Sequence, residues 1–530
     1  MIIDSSQQEG ERTATTTSSG MSSRGIVAGC LAGVLLLAFA LRLWGLDFGL
    51  PYVVHPDESV WVNGALKMIK TGDLNPHDFI YPSLLYYIDA LAYLVYYGIG
   101  RLSGVFHSLT DLVEPIILIG GTGRTSLPAL FLIGRGISLI LGLGTVALTF
   151  DLGRRYTRHI LGGVLAGLWV AIAPTLITHD RYMIPDGPMA FFTTLTLWAS
   201  WRILERGQTR DYVLAGIALG LAVGTKYNVV PFVLPIILAH FLRLGWQGVK
   251  EWRIYVALAL SGVVFFVTTP YAVLDFSTFL NDSFVDVRHY ASGHAGNTGA
   301  SLAWYVNYFW QAEGPILVLA AAGMAWGVYT RSKGTILVAA TMLGYLFFIS
   351  AFAVHAERTA LPLVPLIALL AAGWAVSLVI PATGDPPRVR IGAAAALLVV
   401  VSILPLTNAV SETIRLTTPD GRDTAQAWIE SNLPSGAHVA IESYSPWIDP
   451  ERFAIRSFYR VNGESPEWYV AQGFDYLVVS QQMFHRFYED PAQFADEIAR
   501  YEALFRAFEL VKTFTDGGYE VRIYRIPHAM

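Results

Sequence analysis

Up to about residue 410, long apolar runs alternate with short polar punctuation. Runs able to span a bilayer, about 20 residues each, fall at residues 25–46, 82–100, 130–152, 160–178, 188–204, 211–242, 254–273, 315–329, 335–354, 360–380 and 391–410. Beyond 411 the apolar segments shorten and alternate. Residues 422–432 suit a helix stopped by Pro434 and Gly436, and 438–441 and 476–479 read as short strands. Residues 492–505 suit a second helix, and 510–514 with 519–524 a hairpin closed at Asp516-Gly517-Gly518. The pattern predicts an α-helical polytopic membrane protein with a small α/β C-terminal domain. Three parts are expected: a disordered cytoplasmic tail over 1–23, rich in Ser and Thr, a membrane domain over 24–410, and the α/β domain over 411–530. The run 25–46 is too long for a signal-peptide core and has no A-x-A cleavage site, so it reads as a retained first helix.

Orientation follows from Lys and Arg in short loops, which stay cytoplasmic. The anchors are Arg154, Arg155 and Arg158; Arg206 and Arg210; Arg243, Lys250 and Arg253; Arg331 and Lys333; Arg388 and Arg390. With the N-terminus inside and every run a crossing, residues 82–100 would put the triple-Arg loop outside. Two adjustments remove the conflict. Residues 82–100 lie on the outer face as an interfacial helix, and 211–242, too long for one span, breaks at 224–228 into a hairpin of two short helices. About eleven transmembrane helices result, N-in and C-out, with a first external loop over 47–128.

Composition sharpens this picture. The chain is 54% hydrophobic and 15% charged, with a mean hydropathy of +0.46. Charged residues number 29 in the last 120 positions but 48 in the first 410. A soluble enzyme is excluded, since such domains are about 25% charged. No basic block could follow a phosphate backbone, and the net charge is −5, so nucleic acid is not an expected partner. The single cysteine, Cys30, excludes an intrachain disulfide and a cysteine metal cluster.

The topology gathers unusual polar residues at the outer face. His55-Pro56-Asp57-Glu58 follows the first span. Its carboxylates fit a helix's first turn and equally a general base for an acceptor hydroxyl. His179-Asp180-Arg181-Tyr182-Met183-Ile184-Pro185-Asp186-Gly187-Pro188 occupies the next external loop. It reads as a turn ahead of a helix, or as a second carboxylate at the same cavity mouth; two such carboxylates could orient an acceptor or hold a divalent ion. Thr225-Lys226-Tyr227-Asn228 marks the hairpin break, where a lysine at membrane depth costs ~3 kcal/mol and so faces a cavity or a partner. His355-Ala356-Glu357-Arg358 opens a span from the side where arginine is disfavoured; the alternatives are an interfacial anchor and a bidentate phosphate ligand. The long loop 275–313 holds His289 and several aromatics, suited to an interfacial belt or to stacking on a sugar beneath a lid. Arg135 and Asp89 read as structural polar contacts. No spacing specifies a metal, and a divalent ion is left open.

Taken in order, residues 55–58, Gly72-Asp73-Leu74-Asn75-Pro76-His77 with Tyr81-Pro82, 181–188, 224–228 and 355–365 resemble the GT-C glycosyltransferases. They are most similar to the group of protein O-mannosyltransferases and the lipid A aminoarabinose transferase (glycosyltransferase families 39 and 83), over about residues 25–410. The resemblance implies a GT-C fold and inverting transfer of a sugar, a hexose such as mannose, from a polyprenyl-phosphate-linked donor. The acceptor would be a protein, lipid or glycan hydroxyl on the outer face. It implies catalytic roles for Asp57, Glu58 and Asp186, and donor-phosphate binding by Lys226, Arg358 and Arg181. His55, His289, His355, Tyr227 and Asn228 would contact substrate or metal. A transporter or flippase of a lipid-linked or small solute is the competing expectation. Inverted repeats typical of transporters are not evident, and the ionisable residues collect on one face.

Overall fold

The computed structural model describes residues 23–118, 122–293, 300–380 and 388–527. The tail expected over 1–23 falls almost wholly outside them. The helices are α1 (Ser23–Leu43), α2 (Pro56–Thr71), α3 (Leu84–Leu102), α4 (Pro128–Thr157), α5 (Ile160–Ile172), α6 (Pro174–His179), α7 (Asp186–Glu205), α8 (Thr209–Thr225), α9 (Val233–Leu244), α10 (Trp252–Thr268), α11 (Tyr271–Leu274), α12 (Phe276–Ser292), α13 (Ser301–Ala312), α14 (Ile316–Tyr329), α15 (Lys333–Ser350), α16 (Leu363–Val379) and α17 (Arg388–Thr417). Among the described residues, five helices are long and apolar enough to cross a bilayer. The pair α13 and α14, bent by 117°, makes a sixth if counted as one span, and α5, α10 and α16 are shorter apolar helices. The expected run 160–178 divides at Pro174, which lacks the amide that would continue α5.

Three devices hold the bundle in register. On α1, the buried Arg42 donates to Asp180 at 2.7 Å and to the carbonyls of Val170 and Ala171. On α4, Arg135 grips Glu58 of α2 through Nε and Nη2 at 2.8 and 2.7 Å, with Phe48 beneath its guanidinium at 3.8 Å. On α8, Gly216 and Gly220 let α10 approach until the Ala257 and Ser261 carbonyls lie 2.5 and 2.7 Å from where a Cβ would sit.

The loop expected at 275–313 is instead largely helical, as α12 and α13. Asp282, Asp286 and Tyr290 recur at four-residue spacing on α12, so its polar residues form a stripe and not a solvated loop. That stripe is tied to the first loop: Asp275 accepts from Asn75 at 3.0 Å, and Asp282 accepts from the Phe79 amide at 3.0 Å. The Gly/Asn-rich part of that loop, 294–299, lies outside the described residues. The first loop also contains a small antiparallel sheet of β1 (Tyr52–Val53), β2 (Ile116–Ile117) and β3 (Gly123–Arg124), in the order β1-β3-β2. Its two-residue strands are too short for any periodicity to reveal.

Helix α17 runs through the boundary expected at 410/411. After it, α18 (Gly421–Asn432) opens on an Asp420/Asp423 capping box. There follow β4 (His438–Glu442), β5 (Ala454–Phe458), α19 (Pro466–Ala471), β6 (Tyr476–Ser480), α20 (Gln481–Phe484), α21 (Ala495–Ala507), β7 (Glu509–Phe514) and β8 (Val521–Arg525). The mixed sheet has the order β5-β4-β6-β8-β7, parallel at β4–β5 and β4–β6 and antiparallel elsewhere. It rests on the first loop, where the Thr122 hydroxyl donates to the Ser445 carbonyl at 2.5 Å and Leu118 packs into the sheet's core.

Candidate active site

Helix α2 is built to present Asp57. His55 caps it, its Nδ1 accepting from the Asp57 amide at 3.2 Å, and Pro56 occupies the first position, where no amide is needed. Gly72, at φ 74°, closes the helix and donates to the Met68 carbonyl. Asp57 Oδ2 accepts from Arg358 Nη1 at 3.0 Å, with both side chains about one-third exposed (31% and 34%).

A second pair lies deeper. Helix α8 stops at Lys226, whose backbone is extended before a 3₁₀ turn at Tyr227–Phe232 that carries Pro231. This is the break expected at 224–228, and it aims Lys226 Nζ at Asp186 Oδ1, 2.5 Å away, in the first turn of α7. Both residues are buried. The two pairs form one electrostatic unit: burial works against the charge on Arg358, but Asp186, Tyr81 and Asp57 outweigh it and raise its pKa.

Beside Lys226 lies a cavity of about 180 Å³, lined by Tyr81, Lys226, Tyr227, Asn228, Asp286 and Tyr290, and by apolar Phe348 and Phe352. Tyr227 OH and Asn228 Oδ1 are buried without a hydrogen-bond partner among the described residues. Such groups favour a polar ligand, since each unmet one costs about 1–3 kcal/mol. The lining combines apolar Phe348 and Phe352 with one cation, Lys226, the tyrosine hydroxyls and the carboxylate of Asp286.

Asp57, Asp186, Lys226, Arg358, Tyr227 and Asn228 therefore converge. Other expected residues sit elsewhere. Glu58 is fully buried, bound by Arg135 and by the Met183 amide at 3.0 Å. Burial alone would raise its carboxyl, but Arg135 outweighs this and holds it below the usual range. With both oxygens occupied, it fastens α2 to α4 and does not reach the cavity. Arg181 is buried against α1 and α17, donating to the Leu41 carbonyl and, at 2.7 Å, to Thr413 Oγ1, so it faces helix packing and not Lys226. His55 serves as the cap, its ring 4.6 Å from that of Tyr182, and burial lowers its pKa despite Glu58 and Asp57. His355 is held behind the site, Nδ1 3.2 Å from Ser301 Oγ and its ring 4.7 Å from Trp304. His289 adjoins Tyr290 on α12 without entering the wall.

Tyr81, Asp286 and Tyr290 were not among the expected site residues. Tyr81 precedes the proline that opens the way to α3, and Asp286 and Tyr290 belong to the α12 stripe, whose four-residue spacing was the available signal. Among the described residues no three His, Cys, Asp or Glu side chains gather as a metal site. Asp57 and Asp186 face cations instead.

Comparison with known proteins agrees with this architecture. The archaeal oligosaccharyltransferase AglB from Archaeoglobus fulgidus, solved with an inhibitory peptide and a dolichol-phosphate, superposes with a TM-score of 0.57 at 12% identity, covering 96% of this chain and 75% of that one. ArnT from Cupriavidus metallidurans in the apo state gives 0.52 at 14% identity, covering 94% and 98%. The chain thus shares the helical, multi-pass membrane architecture of these two structures. Residues 124–290, the segment that carries Asp186 and Lys226, match the family described as dolichyl-phosphate-mannose-protein mannosyltransferase. Dolichyl-phosphate-mannose–protein mannosyltransferase 1 of Candida albicans is 28% identical over 205 residues, 37% of this chain and 21% of that protein. The curated relatives are matched over only 21% to 37% of their own length.

Proposed function

We propose that the protein transfers a sugar, a hexose such as mannose, from a polyprenyl-phosphate-linked donor to an acceptor hydroxyl at the outer membrane face. In this reading the N-terminus is cytoplasmic, residues 24–410 form the catalytic membrane domain, and the C-terminal domain lies outside above the site. The observation that carries it is the coupled pair of contacts, Asp57–Arg358 and Asp186–Lys226, beside a half-apolar cavity. The AglB complex with dolichol-phosphate adds support for a lipid-phosphate ligand in this fold.

Without substrate, each cation is held by a carboxylate. A donor phosphate entering the cavity competes for Lys226 and Arg358, and as Arg358 turns to it, Asp57 becomes available as a base. The acceptor oxygen attacks the anomeric carbon and its proton passes to Asp57. The bond from that carbon to the phosphate oxygen breaks, and its electron pair leaves with the polyprenyl phosphate. Charge grows on the phosphate as this bond breaks, so fixed cations bind the transition state more tightly than the ground state. Asp186 keeps Lys226 pointed at the cavity.

The test is transfer from a synthetic polyprenyl-phosphate hexose by purified protein. Asp57→Asn is expected to lower the rate by about 10²–10⁴-fold, the usual worth of a general base, with an unchanged thermal midpoint. Full activity in that variant overturns the assignment of the base. Mass spectrometry of surface glycans in a deletion strain identifies sugar and acceptor.

A further inference from the structure

A larger cavity, about 700 Å³, lies at the far ends of α7 and α15. Helix α7 carries Asp186 at its start and Trp201 and Glu205 at its end, while α15 starts at Lys333 beside the large cavity and ends near Phe348. At 1.5 Å per residue these helices are about 30 and 27 Å long, close to the thickness of a bilayer's hydrocarbon core. The large cavity therefore opens at the membrane face opposite the Asp57–Asp186 cluster.

Its wall holds four cations, Arg155, Arg158, Arg243 and Lys333, and one carboxylate, Glu205. Glu205 is already engaged by Arg155 at 2.9 Å and by Trp201 Nε1 at 2.8 Å, and Arg155 is held as well by Asp151 at 2.5 Å, so the excess charge rests on Arg158, Arg243 and Lys333. Arg243 Nη1 is oriented by the Leu204 and Glu205 carbonyls at 3.0 and 2.9 Å. Arg158 and Lys333 form no ion pair among the described residues. Anchoring a loop at a membrane face requires cations near the surface. It does not require them around one concavity with too few carboxylates, where they repel one another. A second cavity of about 420 Å³ shares Tyr156, Arg158 and Ser332 with the first and continues past Trp326, Val376 and Ile380, between α14 and α16. A cationic basin thus joins a partly apolar groove.

We propose that this pair of cavities binds an anionic membrane lipid from the leaflet opposite the transfer site. Its phosphate lies among Arg158, Arg243 and Lys333, and an acyl chain occupies the groove. Arginine forks and a lysine ammonium are the groups that recognise phosphate oxygens, and basic pockets between membrane helices are suited to such head groups. This site is separate from the donor cavity and requires no chemistry there.

The test titrates the purified full-length protein in neutral detergent with phosphatidylglycerol or phosphatidylcholine and reads bound lipid by native mass spectrometry. Phosphatidylglycerol is expected to be retained selectively; equal retention of phosphatidylcholine overturns the proposal. The double variant Arg158→Asn and Lys333→Gln removes two charges, and Asn tolerates the left-handed backbone of Arg158 at φ 57°. It is expected to bind phosphatidylglycerol at least tenfold more weakly, whereas Arg210→Gln, outside the cavity, binds as the parent does. Unchanged binding by the double variant overturns the proposal. Inorganic phosphate and glycerol 3-phosphate form a further arm on the unmodified protein. Displacement of the lipid only at high millimolar concentrations supports the assignment, and displacement at micromolar concentrations assigns the cavity to a soluble phosphate and overturns it. If the double variant does not fold, Lys333→Gln alone takes its place and is expected to weaken phosphatidylglycerol binding severalfold; unchanged binding by it assigns the lipid to the donor cavity and overturns the proposal.

Discussion

Asp57 and Glu58 leave the same helical turn with the same charge and meet opposite fates. Asp57 reaches a part-exposed Arg358, while Glu58 enters a fully buried pair with Arg135. Breaking a buried pair strands a charge in a poor dielectric and costs about 3–5 kcal/mol. Glu58→Gln is accordingly expected to lower stability by roughly that amount, read as a lower thermal midpoint and a poorer yield of folded protein. Adjacent first-turn carboxylates look alike in a sequence; what separates them is Arg135, 77 residues away. Arg181 was unreadable for a related reason, since nothing local indicates that its partners are on α1 and α17. Lys226 was legible because a lysine inside an apolar run requires an explanation. In the C-terminal domain, Glu442 is pushed up to about 7 by burial, against hydrogen bonds from Ser480, Val461 and Tyr501 that favour its ionised form. Because the folded state holds this proton more tightly than the unfolded chain, the group's contribution to stability is full below about 4.5 and is lost as pH rises towards 7. The loss amounts to roughly 3 kcal/mol over that window. Hydrogen exchange of the β4 and β6 amides is expected to quicken across it, and Glu442→Gln to flatten this dependence.

Element length and spacing carried the helical architecture. A run of 32 residues at 211–242 exceeds one span, and the chain does break there, at Lys226. By contrast, α12 and α13 were hidden, because a polar, amphipathic helix beside a Gly/Asn-rich stretch resembles a loop when its packing partner, the first loop, is unknown. The strand β5 was missed for want of a long apolar run. Glycine spacing on α8 has a direct effect on the site, since α8 ends at Lys226. Gly216→Val places a branched side chain against the Ala257 carbonyl, where a Cβ would already lie at 2.5 Å. Overpacking of this kind typically costs 1–3 kcal/mol. The variant is expected to show a lower thermal midpoint and a higher donor KM, because separating α8 from α10 moves the lysine.

Across the whole molecule, the scarcity of charge in the body marks which groups are placed at each face. Basic loops collect around the 700 Å³ cavity, and the carboxylate–cation pairs collect about 30 Å away. The proposed orientation has a simple check. A membrane-impermeant thiol reagent is expected to label Glu451→Cys in intact cells and Arg210→Cys only after permeabilisation, with Cys30 replaced by Ala. The reverse pattern would invert the molecule and move the transfer site inside.

The separation of Asp57 from Arg358, 301 residues along the chain, also sets a biosynthetic clock. At about 5–20 residues per second, Arg358 emerges from the ribosome roughly 15–60 s after Asp57. Asp186 and Lys226, only 40 residues apart, can meet within seconds. The nascent protein thus can pair Lys226 early and Arg358 only late. A chain terminated before residue 358 would insert into the membrane with Lys226 paired and Asp57 still without its arginine.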